Sequence, residues 1–135
     1  MNLKEIHIGT LLQIRMEELQ ISSERATKFL KCDEVDIKKM YQQSSIDTHL
    51  LLRWCKLLKY DYFRLFTGYL VLYAPPAHIS ASEKNNLPIF KKNIYTEEIK
   101  SFILDKIFTN KMTPQEVIIK YRIPKTTLYR WIKKV

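Results

Sequence analysis

Apolar and polar positions recur with a helical period along most of the chain. From Ile8 to Leu19 the residues Ile8, Leu11, Leu12, Met16 and Leu19 share one face, with Gln13, Glu17 and Glu18 on the other, which predicts an amphipathic first helix. Ser22 or Ser23 is placed to cap a second helix over 24–30. A tight connection follows at Lys31-Cys32, and a third helix starts near Asp33 with Ile37 and Met40 inward. Asp47 or Thr48 caps a fourth, strongly apolar helix through Leu50, Leu51, Trp54, Leu57 and Leu58. Short connections between such helices predict a compact bundle.

The stretch from Tyr60 to Tyr73 is denser in aromatic and aliphatic residues than a lone surface helix needs, so it either completes this core or forms a contact surface. Ala74-Pro75-Pro76-Ala77 ends it, because consecutive prolines remove amide donors and bias the preceding residue away from helix. The aperiodic stretch from 74 to 94, with Ser80, Ser82, Asn85, Asn86 and Pro88, reads as a linker between domains at 1–73 and 95–135. Beyond it Thr96 caps a helix to Phe108, with Ile99, Phe102, Ile103 and Ile107 on one face. Thr113-Pro114-Gln115-Glu116 has the composition of a capping box with proline at the first helical position. That helix continues to Tyr121, turns at Arg122-Ile123, and gives way to a last helix from Pro124 onward.

Composition agrees with an all-α protein: 46% of the 135 residues are hydrophobic, and there are only 2 glycines and 5 prolines to make turns. No apolar run approaches the roughly 20 residues of a membrane span and no signal peptide leads the chain, so a cytoplasmic protein without membrane association is expected. Cys32 and Cys55 are too few and too far apart for a disulfide framework or a zinc site, and read as reduced core thiols. The net charge of +9 draws the chain to polyanions. It is unevenly spread: residues 1–73 hold 11 Lys+Arg against 9 Asp+Glu, whereas residues 74–135 hold 12 against 5.

The stretch TPQEVIIKYRIPKTTLYRWIKK, residues 113–134, has an Ile-Pro turn ahead of a Leu-Tyr-Arg-Trp helix. With the helix from Thr96 it resembles the homeodomain-like helix-turn-helix of insertion-sequence transposase first-frame proteins, although Arg122 stands where such families often have glycine. On the last helix Leu128, Trp131 and Ile132 are spaced to bury together, leaving Lys125, Thr126, Tyr129, Arg130 and Lys133 outward. A major groove admits one such helix, and Lys and Arg donate to phosphates or to guanine.

Residues 7–66 carry His7-Ile8-Gly9, Ser45-Ile46-Asp47 and Tyr60-Asp61-Tyr62-Phe63, and resemble Cro/repressor-type helix-turn-helix proteins. The resemblance implies a five-helix domain whose recognition positions are Asp33, Glu34, Val35, Lys38, Lys39 and Gln42, with Lys38, Lys39 and Gln42 as the expected DNA contacts. The acidic start of that helix is either capping chemistry or a reader of cytosine amino groups. A dimerisation or partner-binding role for the unit stays open beside these.

His7, His49 and His78 stand apart, there is no glycine-rich phosphate loop, and the acidic residues lack nuclease spacing, so no enzyme, metal or cofactor is expected. The combined expectation is a nucleoid-associated, sequence-selective binder of double-stranded DNA, acting as a regulator or mobile-element accessory protein. It would be a homodimer through Tyr60–Tyr73 with no small-molecule substrate. The rival is a protein-interaction module tethered to nucleic acid by a basic C-terminal domain; a third reading is a transposase subunit whose active site lies on another chain.

Overall fold

The computed structural model describes residues 1–75, 86–90 and 93–135, and every regular element among them is a helix. In chain order these are α1 Ile8–Leu19, α2 Ser23–Leu30, α3 Glu34–Tyr41, α4 Thr48–Leu58, α5 Phe63–Tyr73, α6 Glu97–Phe108, α7 Pro114–Tyr121 and α8 Lys125–Lys133. The fold is all-α. Contacts divide the chain into a compact unit at Asn2–Leu65 and a second at Phe66–Val135, the division falling inside α5. The stretch read as a linker, 74–94, lies largely outside the described residues.

In the first unit α1 packs on α3 and α4, and α2 on α3 and α4. The local sequence fixes each start. His7 accepts at Nδ1 from the Thr10 amide (3.1 Å), Ser22 Oγ accepts from Arg25 N–H (3.2 Å), and Asp47 Oδ1 accepts from the amides of His49 (2.8 Å) and Leu50 (3.2 Å). At α3 the Asp36 carboxylate reaches back to the Asp33 N–H (3.1 Å). Ile8, Leu12, Ala26, Leu30, Ile37, Met40, Leu51, Trp54, Leu57, Leu58 and Tyr62 are buried together in this unit, and Leu3 joins them from ahead of α1. Leu19, expected on the inward face, is exposed: it is the last residue before the left-handed Gln20, where the chain leaves the core.

Gly9 accounts for part of the His7-Ile8-Gly9 pattern. Its amide donates to Gln43 O (2.8 Å) while that of Ile8 donates to Ser44 O (3.0 Å), so the start of α1 lies against the chain leaving α3. A Cβ at this position would overlap the carbonyl groups of Met40 and Tyr41. Only glycine permits that approach.

The stretch around α5 divides between core and surface. Tyr62 closes the first core, its hydroxyl donating to Leu11 O (3.2 Å), and Leu65, Val71 and Leu72 are buried. Phe66, Tyr69 and Leu70 are exposed.

In the second unit α6 and α7 both pack on α8. Ile99, Ile103, Val117, Tyr121, Ile123, Leu128 and Trp131 form the core, and Tyr73 sets its ring edge-on to Phe102 with centroids 5.8 Å apart. Phe102 and Ile107, expected inward, are half-buried. Thr96 caps α6 through the Ile99 amide (3.4 Å) and Thr113 caps α7 through that of Glu116 (3.2 Å), with Pro114 in the first turn. The expected reciprocal half of the α7 box takes another form: the Glu116 carboxylate accepts from the Thr113 hydroxyl (3.2 Å).

Candidate nucleic-acid interface

The C-terminal pair α7 and α8 is organised by its turn. Arg122 ends α7 in the left-handed region (φ 55°), Ile123 turns into the core, and Pro124, with extended backbone, stands as the N-cap of α8. Proline was expected as the first helical residue; one position earlier, its fixed φ serves the cap instead. Proline has no acceptor side chain, so no side chain caps the amides that open α8. Helix starts of this kind favour anions, because aligned peptide dipoles leave partial positive charge there.

Two apolar residues set the rotation of α8. Leu128 is fully buried and Trp131 is 6% exposed, its ring edge-on to Tyr95 with centroids 5.0 Å apart and the Lys100 ammonium 5.8 Å from its centre. Ile132, expected with them, is half-buried. Because those residues face inward, Lys125, Thr126, Tyr129, Arg130 and Lys133 all lie exposed on the outer side. Among the described residues no ion pair engages Lys125, Arg130 or Lys133, and no described carboxylate neutralises their charge. From Val117 to Val135 the sequence holds no Asp or Glu at all. The face can donate several charge-assisted hydrogen bonds to anionic oxygens or base edges.

Arg122 was read only as a turn residue, yet it is exposed beside the start of α8 and adds to the same cationic stretch, as do the exposed Lys120 and Lys134. A basic residue held in a conformation that favours glycine was the available pointer.

The other three expected contacts, Lys38, Lys39 and Gln42, lie exposed toward the end of α3 in the first unit. Their setting differs. Asp33, Glu34 and Asp36 are exposed at the start of the same helix, with Val35 61% exposed between them. The field they create is felt at Cys32, whose thiol is pushed up by burial and then by Asp36 and Asp33. Cys32 and Cys55 are half-buried free thiols rather than core residues, and burial is also the main cause that raises Cys55. No group of three His, Cys, Asp or Glu side chains placed to hold a metal occurs among the described residues, and no helix there is long and apolar enough to cross a membrane. Comparison of the chain with protein-family models, curated proteins and solved structures found no match.

Proposed function

We propose that this protein binds double-stranded DNA with sequence selectivity, α8 being the helix that enters the major groove. The observation that carries the reading is the outward basic face of α8 on a helix whose rotation is set by buried Leu128 and Trp131. Lys125, Arg130 and Lys133 would contact phosphates or guanine, and Thr126 and Tyr129 would meet base edges or thymine methyls. Lys38, Lys39 and Gln42 of α3 would form a subsidiary contact, weakened by the carboxylates ahead of them. The resemblances to homeodomain-like and Cro/repressor-type proteins support the same role. They point to a nucleoid-located regulator or mobile-element accessory protein that performs no chemistry itself.

A second reading is favoured by one observation: an acidic start to α3 with Val35 exposed suits a protein contact better than a phosphate backbone. In that case the first unit binds a partner and the second only tethers the pair to nucleic acid. Selection of bound duplexes from a random library with the full chain separates the two. Enrichment of one motif, lost in Arg130→Ala, is the expected result; retention of all sequences alike would leave the tether, and no duplex binding at all would end both.

A further inference from the structure

Past Arg64 in its first turn, which pairs with Asp61 (3.1 Å), the exposed side of α5 is uncharged. Leu65, Val71 and Leu72 point inward, while Phe66, Tyr69 and Leu70 are 38%, 38% and 53% exposed. Surface helices normally place charged residues on that side. Here the sequence from Leu65 to Ser82 contains no Asp, Glu, Lys or Arg, in a chain where 27% of residues are charged. The row is also ordered: the Tyr69 ring lies against Tyr73 at 5.5 Å, and Tyr73 in turn rests on Phe102. A helix apolar on both sides gains stability when the second side is covered, and fixed aromatic rings lose little entropy on being covered.

We propose that this row is the contact between two copies of the chain, which pair about a two-fold axis through α5. Charge selects the occupant. DNA binds through cations, which the row lacks. Two chains of net charge +9 repel over most of their surfaces and approach at least cost where charge is absent. A two-fold contact sets the same patch against itself, so a neutral apolar row is its own complement. The pairing is independent of DNA reading and would give the protein two copies of α8.

Sedimentation equilibrium of the full chain without DNA tests it. The expected mass at micromolar concentration is twice 16.2 kDa. Added salt should tighten the pairing by screening the repulsion, whereas it weakens any DNA binding. Leu70→Asp and, separately, Tyr69→Asp should give monomers with unchanged helical circular dichroism; should either fail to fold, Leu70→Ala supplies the milder variant, with at least a tenfold weaker pairing expected. Leu72 is no probe, being buried. A wild-type monomer throughout, or dimers that persist in the folded variants, would overturn the proposal. So would a monomer that co-sediments with phosphatidylcholine vesicles through Leu70, which would give the row to a lipid surface. None of these outcomes bears on whether α8 binds DNA.

Discussion

A methyl group at position 9 would meet the carbonyls of Met40 and Tyr41, groups that have no flexible end to move aside. Gly9→Ala should therefore destabilise the first unit by about 1–3 kcal/mol, the usual cost of overpacking, read as a lower denaturation midpoint with an unchanged slope. Tyr62 makes a pH-dependent contribution. Burial first, then Tyr60, Cys55 and Glu18 against the opposing Arg15, hold its phenol well above the ordinary value. The unfolded chain thus ionises before the native one. Stability from this group is intact below the ordinary tyrosine value of about 10 and is lost as pH rises above it. Tyr62→Phe should flatten that alkaline loss, leaving the parts owed to Tyr41, which burial and Glu17 also raise, and to the raised thiols of Cys32 and Cys55. At neutral pH the variant should lose about 1 kcal/mol for the bond to Leu11 O. Pattern alone flagged Gly9 as part of a motif without the reason, because a close backbone approach leaves no mark in hydrophobic periodicity. Tyr62 was legible only as one aromatic among many.

Helix starts were legible from capping chemistry: Thr96 and Thr113 were named outright, and of the alternatives Ser22 or Ser23 and Asp47 or Thr48 the first of each is the cap. Their stops were harder to see. Four helices end on Gln20, Lys31, Lys59 and Arg122, all in the left-handed region that glycine usually supplies. With no glycine to mark them, the exposure of Leu19 beside Gln20 was not apparent, nor was the outward position of Arg122. Arg122→Gly should stabilise the second unit by about 0.5–1 kcal/mol once glycine's greater unfolded freedom is subtracted from the strain relieved, read as a higher melting point. An unchanged or lower melting point would mean that the arginine side chain stabilises the turn by more than its backbone costs. Along α8 the three- and four-residue spacing of Leu128, Trp131 and Ile132 was enough to assign the outward face; Leu128 and Trp131 are buried as that spacing requires, and Ile132 is half-buried. Truncating a buried tryptophan costs about 3–5 kcal/mol, comparable with the stability of so small a unit, so Trp131→Ala should unfold Phe66–Val135. The check is loss of the second unit's thermal transition. A normal transition with only DNA affinity impaired would rotate α8 relative to the core.

For the whole molecule, charge was the most readable property and assembly the least. Net charge is +2 over residues 1–73 and +7 over residues 74–135, and in the fold the second group includes every exposed cation of α8. Aromatic density around α5 did not reveal which residues turn outward, since both of its sides are apolar; burial of Leu72 and exposure of Leu70 settle that. The claim that α8 is the principal DNA contact is tested most directly by the salt dependence of duplex affinity. Measured on the full chain, log affinity falls with log salt by about 0.9 for each phosphate neutralised. Arg130→Ala and Lys133→Ala are each expected to reduce that slope by up to about one when the side chain contacts phosphate, and Lys38→Ala and Lys39→Ala to reduce it less. Flattening by the α3 substitutions, with the slope and affinity of the α8 variants unchanged, would contradict the account and move the reading helix to the first unit.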